Sequence, residues 1–148
     1  MDKEIKAIIF DYIGTLVNRD EELFNFTIEV LDALKPKYKM CLVSKADNVN
    51  ARKKGITSLG LGPYFDFILV NNKKGTDHFK YCIKRFNFPS ENVLVVGDRA
   101  SREIKIGNEL GCKTCWISFG DRSSDSPNQD TGPANYVIKD IRGLISLL

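Results

Sequence analysis

No stretch of this 148-residue chain approaches the run of about 20 apolar residues that a bilayer-spanning helix needs. Nor is there a large excess of one charge: 22 Lys and Arg stand against 19 Asp and Glu, a net +3, with the basic residues in short groups such as Arg52-Lys53-Lys54 and Lys73-Lys74. Without a long basic stripe, nucleic-acid binding is not implied. Histidine occurs once, as His78, in the first turn of an expected helix, and reads as an exposed or structural residue rather than a catalyst. Cysteine is scarce too. Cys112 and Cys115 form a C-x-x-C, but no second such pair and no nearby His completes a tetrahedral zinc site. Cys115 lies in an apolar run, and positions three apart on a strand point to opposite faces, so these read as small buried thiols. The start, Met1-Asp2-Lys3-Glu4, is charged rather than signal-like, and the expected location is the cytoplasm.

What is present reads as one globular domain over residues 1–148, with 43% hydrophobic and 28% charged residues. Short apolar runs rich in β-branched residues predict strands at Ile5–Phe10, Lys39–Val43, Phe65–Val70, Val93–Val96 and Thr114–Ser118, with a short sixth at Tyr136–Ile138. Between them the apolar spacing predicts helices. The first covers Glu21–Leu34 and stops at Pro36, and the second is capped by Asp47 and carries Val49, Ile56 and Leu59. The next is capped by Thr76, with Phe79, Cys82, Ile83 and Phe86 on one face. Ile104–Leu110 and Ile141–Leu148 follow, and Gly120–Pro133 reads as a loop. Alternating strands and helices predict a three-layer αβα sandwich, Rossmann-like, around a mainly parallel five-stranded sheet.

In such folds ligands bind outside the carboxyl ends of the strands. The stretches that follow the first four strands are all polar: Asp11 to Leu16, Ser44-Lys45, Asn71 to Gly75, and Gly97 to Glu103. Asp11 and Asp98, at adjacent strand ends, can share a hard divalent cation, and Mg²⁺ suits oxygen ligands. Lys73 supplies a fixed positive charge and Ser44 a hydroxyl. A carboxylate nucleophile, a metal and donors for phosphoryl oxygens together fit phosphoryl transfer.

Four motifs in order then resemble the haloacid dehalogenase-like hydrolase superfamily. Phe10-Asp11-Tyr12-Ile13-Gly14-Thr15-Leu16 is similar to its first motif, Ser44 to its second, a lysine ahead of a helix to its third, and Gly97-Asp98 with Glu103 to its fourth. The resemblance implies an aspartyl-phosphate on Asp11, with Ser44 and Lys73 (or, one residue on, Lys74) as catalytic partners. It also implies Mg²⁺ held by Asp11, the Ile13 carbonyl, Asp98 and Glu103. Counting back from Gly97 by the family's usual helix length selects Lys73, with Phe79 in its aromatic position.

Two departures from the family pattern stand out. Ile13 occupies the place of the Asp that protonates the leaving group and activates water in family phosphatases. Glu103 stands where Asp is usual, in a helical first turn that favours an acid in any case. Neither the span from Leu16 to Pro36 nor that from Ser44 to Lys73 has room for an inserted cap domain. The expectation is therefore a capless Mg²⁺-dependent phosphatase acting on a phosphorylated small molecule or macromolecule, its open site covered by a partner subunit if at all. The alternative is a catalytically impaired relative that binds or scaffolds.

Overall fold

The computed structural model describes residues 4–119 and 124–148. Residues 120–123, the start of the loop expected at Gly120–Pro133, lie outside the described residues, as do Met1, Asp2 and Lys3; the rest of that loop is turns and irregular chain. The elements in order are β1 (Ala7–Phe10), α1 (Thr27–Leu34), β2 (Lys39–Lys45), α2 (Val49–Ser58), β3 (Phe67–Asn71), α3 (Thr76–Phe86), β4 (Val93–Gly97), α4 (Lys105–Leu110), β5 (Lys113–Ile117), β6 (Tyr136–Ile138) and α5 (Gly143–Leu147). They form one sheet in the order β3-β2-β1-β4-β5-β6, every pairing parallel. The sheet thus has six strands rather than the five expected. The short Tyr136–Ile138 segment joins its edge through Cys115–Tyr136, Trp116–Val137 and Ile117–Ile138.

The pleat sorts the side chains onto two cores. Ile8, Phe10, Leu42, Leu94 and Val96 face one layer with Leu31 of α1, Ile56 of α2 and Leu144 of α5. Ala7, Ile9, Cys41, Val43, Val93 and Val95 face the other, against Phe79, Cys82 and Phe86 of α3 and Ile106 of α4. Near-continuous apolar strands are what a parallel sheet covered on both faces requires. The two C-x-x-C cysteines fall in different layers, Cys112 in the second and Cys115 in the first. All four cysteines are free and buried, and burial pushes the thiols of Cys112 and Cys115 up to about 12.

The strand order reverses between β1 and β4, placing the crevice of the sheet at the end of β1. There the chain departs from the expected long helix. Instead of starting at Glu21, α1 starts at Thr27, and residues 11–26 form a compact series of turns. The Asn18 side-chain carbonyl accepts from the amides of Asp20 and Glu22, at 2.9 and 3.0 Å, so these amides are bound outside any helical ladder. Glu21 adopts φ 59, a left-handed conformation that a helix does not contain. Thr27 Oγ1 then donates to the Leu16 carbonyl at 2.7 Å and ties α1 to the turns. The helix caps also sit one residue away from those expected. Asn48, not Asp47, accepts from Ala51 N at 3.0 Å, and Gly75, not Thr76, precedes α3. His78 is structural: its Nδ1 accepts from the Gly75 amide at 3.0 Å.

Candidate active site

Asp11 leaves β1 with its amide donating to the Val96 carbonyl at 3.0 Å, so β4 fixes the backbone of the candidate nucleophile. The Tyr12 carbonyl accepts from the amides of Thr15, Leu16 and Val17 at 3.1, 2.8 and 3.3 Å. Gly14 makes that tight turn possible at φ 86, a conformation natural to glycine. The turn brings Thr15 Oγ1 to 3.4 Å from Asp11 Oδ2. Asp11 itself is only 5% exposed.

The ammonium beside Asp11 belongs to Lys74. Its Nζ lies 2.7 Å from Asp11 Oδ1 and 3.3 Å from Glu103 Oε2, with the Lys74 side chain 1% exposed. Lys73, the residue expected there, is exposed to solvent and corrects that expectation. Counting by helix length cannot resolve a single residue, and in extended chain one residue reverses the direction of a side chain. Phe79 does stand near this lysine, with Nζ 5.9 Å from the ring centroid.

Asp98 and Glu103 are fully buried and meet Asp11. Oxygens of the three carboxylates lie within 4.8 Å of one another. Glu103 reaches this point because it is folded over Gly97, where an added Cβ would lie 2.7 Å from Glu103 Oε1. Gly97→Ala is therefore expected to displace Glu103 and cost about 1–3 kcal/mol of stability, measured by urea denaturation. Trp116 is half-buried, and its Nε1 donates to the Asp98 carbonyl at 3.0 Å, tying β5 to the acid.

The charges here oppose and support one another. Burial pushes the Asp11 carboxyl up, but the Lys74 ammonium and the Arg102 guanidinium outweigh it and hold Asp11 below its ordinary value. Burial and the nearby Asp11 charge raise Glu103 above the usual carboxylate range, against the pull of Lys74 and Arg102. Arg102 Nε sits 2.6 Å from Glu103 Oε2 and its terminal nitrogen 3.8 Å from Asp11 Oδ1. Removing the Lys74 charge leaves two buried carboxylates short of a partner. Lys74→Ala is expected to lower stability by about 3 kcal/mol, while Lys73→Ala changes it by less than about 0.5 kcal/mol, both read from denaturation midpoints.

Ser44 ends the buried part of β2, and its Oγ accepts from an Arg52 terminal nitrogen at 2.7 Å. Asp11, Ile13, Ser44, Lys45, Ala46, Asp47, Arg52, Arg99 and Arg102 line one cleft of about 380 Å³. The arginines are the residues that sequence reasoning missed. Arg99 and Arg102 do lie in a strand-end stretch, which is a signal. Arg52 comes from α2, and only the fold shows that it turns back onto Ser44.

The cluster fits a hard divalent cation. Among the described residues it offers three buried carboxylates, and Glu103 Oε1 is buried with no hydrogen-bond partner among them.

Comparison with known proteins agrees with this geometry. The family model for haloacid dehalogenase-like hydrolases matches residues 2–117. A glyceraldehyde 3-phosphate phosphatase of Methanocaldococcus jannaschii is 30% identical over 61% of this chain and 40% of its own length. Another, from Pyrococcus furiosus, is 25% identical over 99% of this chain and 62% of its own. The chain thus spans about half the length of these curated relatives. Among solved structures, a HAD phosphatase from Thermococcus onnurineus superposes with TM-score 0.82 at 15% identity, covering 97% of both chains. YfnB, a HAD-hydrolase from Bacillus subtilis solved bound to magnesium, gives TM-score 0.73 at 24% identity over 86% of this chain and 57% of its own.

Proposed function

This chain belongs to the haloacid dehalogenase-like hydrolases, and on that premise we propose that it is a Mg²⁺-dependent phosphatase acting through an aspartyl-phosphate on Asp11. The observation that carries the reading is Asp11 itself. It is a carboxylate at the switch point of the sheet, held ionised by Lys74 and Arg102, beside two further buried acids and at the wall of a cleft. An ionised carboxylate is the form that attacks phosphorus.

In this reading the side chains divide the work. An Asp11 oxygen attacks the phosphorus, and Lys74 orients the carboxylate through its Oδ1. Ser44, held by Arg52, meets a phosphoryl oxygen. Asp11, Asp98, Glu103 and the Ile13 carbonyl would hold Mg²⁺, which supplies positive charge to the phosphoryl oxygens. Magnesium in the YfnB structure supports that choice of ion. The substrate is a phosphorylated molecule, as the names of the glyceraldehyde 3-phosphate phosphatases suggest. The two places where a cap would enter are taken up by α1, between Leu16 and Pro36, and by α2 and β3, between Ser44 and Lys74. That supports a capless domain whose cleft admits bulky phosphates unless a second copy covers it.

Ile13 is the one observation favouring a second reading, a binding protein that retains the pocket. The two readings separate on phosphate release from a panel of phosphate compounds with and without Mg²⁺. Release that requires both Mg²⁺ and Asp11 supports the phosphatase, and phosphate binding without release supports the binding protein.

A further inference from the structure

The cleft beside Asp11 is rich in cationic side chains. Lys45, Arg52, Arg99 and Arg102 all line it, against the carboxylates of Asp11 and Asp47. The three guanidinium groups share a construction. Each has its Nε side against a carboxylate: Arg52 on Glu21 at 3.0 Å, Arg99 on Asp125 at 3.4 Å, Arg102 on Glu103 at 2.6 Å. Asp125 is itself held by the Ser101 amide, at 3.0 Å, and by the Ser101 hydroxyl. Arg52 is further fixed over the Tyr12 ring, 5.1 Å from its centroid. Pairing at Nε anchors each fork by one edge, and a terminal nitrogen of Arg52 is bonded as well, to Ser44 Oγ at 2.7 Å and to the Lys45 carbonyl at 3.0 Å. Two of the forks already point at reacting groups, Arg52 to Ser44 and Arg102 toward Asp11.

A guanidinium stays protonated in proteins, so it donates hydrogen bonds and charge but no proton. The cleft wall nearest the nucleophile in sequence is Ile13, whose side chain has no proton to give. Charge stabilisation without protonation suits one kind of leaving group. We propose that this cleft selects phosphates whose leaving oxygen departs as an anion, acyl phosphates and phosphoanhydrides, with Arg52, Arg99 and Arg102 holding the departing charge. The inference rests on Asp11 as nucleophile and adds the substrate class.

The steps balance without an acid. The Asp11 oxygen forms a bond to phosphorus as the bond to the leaving oxygen breaks, and the leaving group takes that electron pair as a carboxylate or phosphate. Water then adds to phosphorus, the bond to Asp11 breaks, and both water hydrogens remain on the released phosphate or pass to solvent. Preorganised donors aimed at developing charge are worth roughly 10²–10³ in rate each where measured.

The test compares acetyl phosphate, inorganic diphosphate and glycerol 3-phosphate in the wild type, Arg99→Gln, Arg52→Gln, Asp47→Asn and Asp11→Asn, with denaturation midpoints confirming that each variant folds. The acetyl phosphate and diphosphate arms tell the two anionic classes apart. Expected is Asp11-dependent release from at least one of them. In both arginine variants kcat/KM on that compound falls at least about tenfold more than on glycerol 3-phosphate. Asp47→Asn leaves the ratio between the compounds unchanged. Glycerol 3-phosphate turned over as well as the other two, equal losses on all three in the arginine variants, or a selective loss of glycerol 3-phosphate turnover in Asp47→Asn would each overturn the inference. In those cases the Asp11 phosphatase still stands. Release that persists in Asp11→Asn, or no release at all, overturns the phosphatase reading itself.

Discussion

Asp11→Asn is expected to lower phosphate release by roughly six orders of magnitude, the scale seen when a covalent nucleophile is removed. An amide lacks the negative charge and the nucleophilic lone pair of a carboxylate, yet it has nearly the same shape. The fold should survive the change. The Asp11 amide still pairs with Val96, and Lys74 keeps Glu103 as a partner at 3.3 Å. Steady-state kinetics paired with circular dichroism checks both halves of this expectation. A folded variant retaining more than about a tenth of wild-type release would move the chemistry away from Asp11.

The second large effect concerns the metal. Asp98→Ala is expected to weaken Mg²⁺ binding by at least about a hundredfold, because it removes one of the three carboxylates that meet at the site among the described residues. A chelator should abolish turnover in the wild type, and added Mg²⁺ should restore it. The Asp98 backbone carbonyl keeps its hydrogen bond from Trp116 in this variant, so a loss of affinity reports on the side chain rather than on the loop. Titration calorimetry measures it directly. Equal affinity in the wild type and Asp98→Ala would remove Asp98 from the metal site.

The sheet and the positions of the strand ends were legible in the sequence because burial on both faces leaves a plain signal. Runs such as Val93 to Val96 admit few other readings, and the polar stretch after each strand marks the edge where ligands bind. Asp11, Ser44 and Asp98 followed from that edge, and all three lie buried there. What stayed illegible depends on single residues. Lys73 and Lys74 are adjacent and chemically identical, and only the path of the chain after β3 decides which side chain turns inward. The turns at residues 11–26 were hidden because Phe24, Ile28 and Leu31 carry a helical spacing. The competing hydrogen bonds of Asn18 and the left-handed Glu21 decide against a helix there, and neither leaves a periodic trace. Glu103 read as a departure from the family pattern, and the structure shows how the longer side chain is accommodated, folded over a residue with no Cβ. The three arginines of the cleft come from two places in the chain, α2 and the stretch after β4, and no local pattern links Arg52 to Ser44.

A trapped phosphoenzyme bears most directly on Asp11 as nucleophile. The protein is incubated with acetyl phosphate and Mg²⁺, quenched, and reduced with borohydride, which converts an aspartyl phosphate to homoserine. Peptide mass spectrometry then reads the residue at position 11. Homoserine at that position in the wild type, lost when Mg²⁺ is withheld, is the expected result. An unmodified Asp11 under conditions where phosphate is released, or homoserine at another aspartate, would contradict it.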